Sequence, residues 1–235
     1  MLTGVLFDLD GTLLDIELDS FLRDYLGALG PYIATMLDNG IDGEEAASAV
    51  MVGTSAMSRP HPGRTNRQVF NEEFKRATGA DLSRPVYVEA LERFYDDVFP
   101  ELGGELRGFD GAVLAVQTAL DLGLKVAIAT NPIFPRSAVM TRMRWAGIDG
   151  LAVHEITSYE TMEATKPHPA YFIETAARLG VSPHECLMVG DDRILDMSAA
   201  DTGMRTYYVG ARPFSACDWS GSLTELPALL KRLTL

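Results

Sequence analysis

Thr3-Gly4-Val5-Leu6-Phe7-Asp8-Leu9-Asp10-Gly11-Thr12 is the stretch that decides the fold. An apolar run too short for a helix stops at two carboxylates and a glycine. That pattern suits a buried strand whose C-terminal end delivers charged side chains to a loop. From residue 109 onward the chain alternates. Apolar periodicity predicts helices over 110–122, 136–146, 170–179, 195–202 and 223–233, and strands over 124–130, 154–157, 186–190 and 206–209. Strands separated by helices at this pitch imply a mostly parallel, doubly wound, Rossmann-like α/β sheet with helices on both faces. Such sheets bind ligands beyond the carboxyl ends of their strands.

Residues 16–107 break the alternation. They read as helices over 18–29, 32–37, 44–57, 67–78 and 86–98, separated by the stop signals Gly30-Pro31, Asn39-Gly40, Pro60 with Pro62-Gly63, and Gly79. The expected organisation is a catalytic core of residues 1–15 and 108–235, interrupted after its first strand by an all-helical cap domain of residues 16–107. Gly103-Gly104 and Gly108 supply the return hinge.

Lys and Arg total 20 against 33 Asp and Glu, a formal charge of −13. That balance argues against a nucleic-acid partner, because phosphate neutralisation by Lys and Arg supplies most of that affinity. Any phosphate site must therefore be built locally from a metal, a lysine and backbone N–H groups. Cys186 and Cys217 show no CxxC or framework spacing and read as free thiols of a reducing compartment. The N-terminus lacks a basic region, and Asp8 and Asp10 cut its apolar run, so it does not read as a signal peptide. No apolar stretch approaches bilayer-spanning length. The expectation is a cytoplasmic protein without a membrane partner.

Two carboxylates one residue apart at a strand end do not both stay ionised unaided. A divalent cation relieves the repulsion, and hard oxygen ligands suit Mg2+. Asp8 or Asp10 can then act as nucleophile while the other moves protons, and Gly11 admits a phosphate close to the backbone. A second strand ends in Thr130-Asn131, a hydroxyl and an amide able to donate to phosphate oxygens. Lys166, in a loop before a helix, can balance the carboxylates. A third strand ends in Gly190-Asp191-Asp192, with Asp196 following, and is a metal-site candidate.

Taken in order, these segments resemble the haloacid dehalogenase-like hydrolase superfamily: a DxDGT box at Asp8 to Thr12, the strand-end Thr130, Lys166, and a GDxxxxD box at Gly190 to Asp196. The resemblance covers residues 3–14 and about 109–210, and the helical segment sits where that family places a cap. It implies that Asp8 is the nucleophile forming a phospho-aspartyl intermediate. Asp10 is implied as general acid/base, lending its backbone carbonyl to the metal. Asp191 would complete the Mg2+ site, with Asp192 as competing ligand and Asp196 orienting either a metal-bound water or Lys166. Gly11, Thr12, Thr130, Asn131 and Lys166 would bind the phosphoryl group. A halide leaves without a proton, so a carboxylic acid at position 10 favours phosphate ester hydrolysis over dehalogenation. The expected function is hydrolysis of a small phosphorylated metabolite. A sugar-phosphate mutase, or a non-catalytic binding protein that keeps the fold, are the alternatives.

Specificity is expected from the polar stretch at residues 58–67, where Arg59, His61, Arg64 and Asn66 are candidates to read the leaving group, with arginines favouring an anionic one. Arg136, at the start of a helix after Thr130, is a further candidate sensor. His154, His168 and His184 show no metal spacing, and Cys186 reads as a buried small hydrophobe.

Overall fold

A computed structural model describes every residue except Ala211, Pro213 and Leu235. In chain order the strands are β1 (Gly4–Phe7), β2 (Leu14–Asp15), β3 (Arg107–Gly108), β4 (Lys125–Ile128), β5 (Glu155–Ile156), β6 (Cys186–Gly190), β7 (Arg205–Val209) and β8 (Trp219–Gly221). The helices are α1 (Leu18–Leu37), α2 (Gly43–Met57), α3 (Asn66–Thr78), α4 (Pro85–Arg93), α5 (Ala112–Asp121), α6 (Arg136–Trp145), α7 (Pro169–Leu179) and α8 (Leu226–Thr234).

Six strands form one parallel sheet in the order β5-β4-β1-β6-β7-β8. β1 lies inside it, buried along its whole length. Its alternate side chains enter two separate cores, as the period-two geometry of a strand requires. Val5 and Phe7 join Val126, Ile128, Leu187 and Val189 on one face. Leu6 joins Ala127, Met188 and the α7 residues Tyr171, Phe172 and Ala176 on the other. The chain winds outward from β1 through β4 and β5, then returns to add β6 on the opposite side. A crevice opens at such a reversal, just beyond the end of β1.

The stretch between β2 and β3 is helical. Its entry and exit are clipped together, since β2 and β3 pair antiparallel, Leu14 opposite Gly108 and Asp15 opposite Arg107. The glycines at 103, 104 and 108 were expected to form a plain hinge; part of the return is instead this two-stranded clip.

Several elements differ from the sequence reading. Gly30-Pro31 does not stop a helix: α1 runs through it from Leu18 to Leu37. Proline removes one donor and frees the carbonyl of Gly27, and that residue is exposed, so water can satisfy it. Burial of Phe21, Tyr25, Leu29, Ile33 and Leu37 along one stripe then outweighs the local penalty. The helix expected over 86–98 is α4 followed by a π turn (Phe94–Val98) and a 3-10 turn (Phe99–Gly103). The helix expected over 195–202 is a 3-10 segment, Met197–Thr202. β8 has no counterpart in the sequence reading. No helix among the described residues is long and apolar enough to cross a membrane, and Cys186 and Cys217 are free thiols.

Candidate active site

Asp8 follows β1 directly, and its N–H donates to the Val189 carbonyl at 2.9 Å, so the sheet ladder still grips the backbone there. Beyond it the chain coils tightly. The N–H groups of Leu13 and Leu14 both donate to the Leu9 carbonyl, at 2.9 and 2.8 Å. This coil lets Asp10 and Thr12 return over the sheet edge. Gly11 sits at φ +82, and a Cβ there would lie 2.6 Å from Asp191 Oδ2. Only glycine combines that conformation with that approach.

Lys166 is the hub. Its ammonium donates to Asp8 Oδ1 at 2.7 Å and to Asp196 Oδ1 at 2.5 Å, all but enclosed by protein. The backbone N–H of Lys166 donates to Asn131 Oδ1 at 3.2 Å, so that amide holds the lysine loop against the end of β4. The Asp196 carboxylate folds back over the strand end, where a Cβ on Gly190 would collide with it. Its other oxygen accepts the Asp192 N–H at 3.0 Å. Thr12 Oγ1 donates to Asp191 Oδ1 at 2.7 Å. Asp192 points elsewhere: its Oδ1 accepts the N–H groups of Ile194 and Leu195, at 2.7 and 2.8 Å, closing the turn after β6.

Burial is the largest influence on the charges. It lifts the Asp8 carboxyl well above its ordinary range, and the nearby Asp196 charge adds to this against the pull of Lys166. Burial also pushes Asp191 up to about 6, opposed by the Thr12 hydrogen bond. For Lys166, burial works against the charge, yet Asp196 and Asp8 outweigh it and raise the pKa.

Asp8, Asp191 and Asp196 offer carboxylate oxygens that all lie within 4.8 Å of one another. Three acids facing a single ammonium leave an excess of negative charge in a poorly solvated place. A hard divalent cation fits that donor set and relieves the strain that lifts Asp8 and Asp191. Asp196 has both oxygens committed, so Asp8 and Asp191 are the carboxylates freer to hold one.

The residue that sequence reasoning missed is Arg142, on α6. It is fully buried, and its Nη1 pairs with Asp10 Oδ2. Its guanidinium lies 4.4 Å from the centre of the Phe134 ring. Arg142 Nη2 and Asp10 Oδ1 are buried and find no hydrogen-bond partner among the described residues. The signal was present: Arg142 falls at helical spacing from the apolar Ala138, Val139 and Ala146, on the stripe that faces the core. Helix α6 does send an arginine to the site, but Arg136 does not play that part. Its N–H donates to the Glu160 carboxylate, and Nη1 lies 3.5 Å from the Ile156 carbonyl.

Thr130 Oγ1 stands 3.5 Å from Asp10 Oδ2. Its carbonyl accepts from Thr157 Oγ1 at 2.8 Å and from the Tyr171 hydroxyl at 2.9 Å, which fixes the end of this segment. Asp8, Asp10, Gly11, Thr130, Asn131, Lys166, Asp191, Asp192 and Asp196 thus line a single cleft of about 340 Å³. The four candidates at 59–66 do not line it. His61 Nε2 pairs with Asn66 Oδ1 at 2.7 Å, and Asn66 Nδ2 donates to the carbonyls of Pro132 at 3.0 Å and Ala164 at 3.3 Å. These contacts strap the helical insert to the sheet. Arg64 is exposed and paired with Glu72. Ile16, Glu17, Leu18, Leu22, Ile133 and Phe134 form the outer wall of the cleft instead.

The family model of haloacid dehalogenase-like hydrolases matches residues 2–201. The chain belongs to that family. Among its haloacid dehalogenase-like relatives, a phosphoglycolate phosphatase of Xanthomonas campestris is 27% identical over 86% of this chain and 80% of its own length. A HAD phosphatase from Thermococcus onnurineus has a similar structure, with a TM-score of 0.59 and 24% identity, covering 97% of this chain and 98% of that one. The L-2-haloacid dehalogenase of Xanthobacter autotrophicus overlays about as well, with a TM-score of 0.56 and 19% identity over 98% and 99% of the two chains. The fold therefore does not separate phosphatase from dehalogenase; the site residues must.

Proposed function

We propose that this hydrolase is a magnesium-dependent phosphomonoesterase that works through a phospho-aspartyl intermediate on Asp8. The observation that carries the proposal is the unequal partnering of the two acids. Asp8 shares the lysine that would face a phosphoryl group, while Asp10 stands beside it, held by Arg142 and near Thr130. In this reading the cation beside Asp8 binds the phosphoryl group, and Asp10 serves the leaving oxygen. The phosphatase relative at 27% identity supports the same choice.

In the first step an Asp8 carboxylate oxygen forms a bond to phosphorus, the ester P–O bond breaks, and Asp10 gives its proton to the departing oxygen. In the second, Asp10 takes a proton from water as that water attacks phosphorus. The aspartyl P–O bond then breaks and inorganic phosphate is released. Lys166, Thr130 and the backbone around Asn131 hold the phosphoryl oxygens, with Gly11 and Thr12 closing the loop beneath them. Asp196 positions Lys166. Asp8, Asp191 and the Asp10 backbone carbonyl would hold Mg2+, which would supply charge neutralisation and orientation when bound. Residues 16–107 act as one cap over the core of 1–15 and 108–235, excluding water when closed.

The test is phosphate release from phosphorylated sugars, acids, nucleotides and aryl phosphates, with Mg2+ or with EDTA, for wild type and Asp8→Asn. Release that requires Mg2+ and vanishes in Asp8→Asn is expected. Release that survives in Asp8→Asn would overturn the proposal.

A further inference from the structure

A second, larger cavity of about 570 Å³ lies next to the catalytic cleft. Leu22, Ile133 and Phe134 line both, so these three side chains form the wall that the two spaces share. Its body is mostly apolar, with Leu26, Leu29 and Ile33 from α1, Val50 from α2, Phe70 from α3 and Leu91 from α4, while Thr54, Gln68, Asn71 and Ser83 add polar groups to the walls. The Tyr25 and Tyr95 hydroxyls, which also line it, hydrogen-bond to each other at 2.7 Å and so bring no unpaired polar group into it.

The charges in these walls are informative. The cavity carries Arg67, Glu92 and Glu160, a net negative set, and Glu160 already accepts from the backbone of Arg136. The cleft carries Lys166 as its one cation among the described residues, held by Asp8 and Asp196. A leaving group with its own carboxylate or second phosphate would find Arg67 as the cavity's one cation among the described residues, set against the carboxylates of Glu92 and Glu160, and burying a charge so poorly matched is costly. A volume of this size suits a ligand well beyond a two-carbon acid.

From this we infer that the substrate is a monophosphate of an uncharged, largely apolar alcohol or phenol, whose alkyl or aryl group fills the cavity between α1, α2, α3 and α4. The inference rests on the phosphatase reading for its chemistry and on the cavity for its specificity. It separates this chain from a phosphoglycolate or bisphosphate specialist.

The experiment is a kinetic series of straight-chain alkyl phosphates from ethyl to octyl, with phenyl phosphate and phosphoglycolate alongside. Calorimetry with the matching non-hydrolysable alkyl phosphonates runs in parallel. The expected result is a rise in kcat/KM of roughly fourfold per added methylene until the cavity is full. Octyl phosphate should then exceed phosphoglycolate by more than about a hundredfold. Val50→Phe, which narrows the cavity, should make the series level off at a shorter chain. A flat or falling series, or phosphoglycolate as the best substrate, overturns the inference while leaving the phosphatase reading intact. If nothing is hydrolysed yet the phosphonates bind more tightly with length, the apolar site stands and the phosphatase reading fails. Length-independent phosphonate binding overturns the inference even if Val50→Phe fails to fold.

Discussion

At the ends of β1, β4 and β6, Asp8, Lys166, Asp196, Asp191, Thr12, Asp10 and Arg142 are each held by at least one of the others. The cavity on the other side of Phe134 is walled mostly by leucine, isoleucine, valine and aromatic side chains, with a few polar and charged groups such as Arg67, Glu92 and Glu160 among them. The first region is a network of buried charges, where removing one member leaves another uncompensated. The second is defined by volume, and its walls tolerate changes that keep that volume. Substitutions at the strand ends should therefore act on chemistry in large steps, whereas those in the insert act on substrate choice or on stability in small ones.

The largest effect that would sharpen this contrast comes from Asp10→Asn. Loss of a positioned acid/base costs about 10²- to 10⁴-fold in kcat. In kcat/KM, which reports the first step alone, the loss should be smaller for an aryl phosphate, whose leaving oxygen needs little protonation, than for an alkyl phosphate. Equal losses in kcat/KM on both substrates would place Asp10 outside the proton path of that step.

Arg142→Met comes next. It removes the partner of Asp10 without touching substrate, so kcat should fall by about ten- to a hundredfold with KM little changed. Thermal unfolding should show a loss of about 1–3 kcal/mol, less than for a fully enclosed pair because Asp10 opens on the cleft. Restored kcat in Arg142→Lys would mean that charge alone, and not the guanidinium geometry, positions Asp10.

The third effect is on stability and follows from the raised carboxyls. Burial lifts Asp191 from an ordinary 3.8 to about 6, so between those values the native state binds more protons than the unfolded chain. Stability of the metal-free protein should therefore fall as pH rises through that window. Mg2+ bound as proposed would displace protons from the same carboxylates, so the rise in Tm on adding it should grow from the acid side of the window to the neutral side. A magnesium effect independent of pH would contradict this assignment of the site. The smallest effect is expected from Arg64→Ala. Its partner Glu72 is exposed, so both kcat/KM and stability should stay within about twofold and 1 kcal/mol. A large change in KM would return the 59–66 stretch to the substrate site.

The same contrast explains what was legible in the sequence. Asp8, Thr130 and Asp191 sit just past the apolar strands β1, β4 and β6, and strand ends announce themselves by an abrupt change of polarity. Lys166 and Asp196 were readable in type, but their pairing joins residues distant in the chain and appears only once α7 packs against the sheet. Arg142 was hidden because a charged residue in a helix usually faces water; only its register with Ala138 and Ala146 marks it as buried. Pro31 misled because a local breaker was read without the tertiary stripe that carries α1 past it. β8, with the sequence Trp219-Ser220-Gly221, has too few β-favouring residues to stand out; its register with Tyr207, Tyr208 and Val209 of β7 defines it. The apolar cavity left no mark on the sequence, because an empty volume depends on how four helices meet.

The most direct test of the central claim is acid-quenching of the enzyme during turnover of an aryl phosphate, followed by peptide mass spectrometry. Expected is an acid-stable, base-labile phosphate on Asp8 in the wild type, which accumulates in Asp10→Asn because the second step is slowed while the first needs little protonation. Phosphate release at an undiminished rate with no label on Asp8 in either protein, or label on another residue, would contradict nucleophilic catalysis by Asp8.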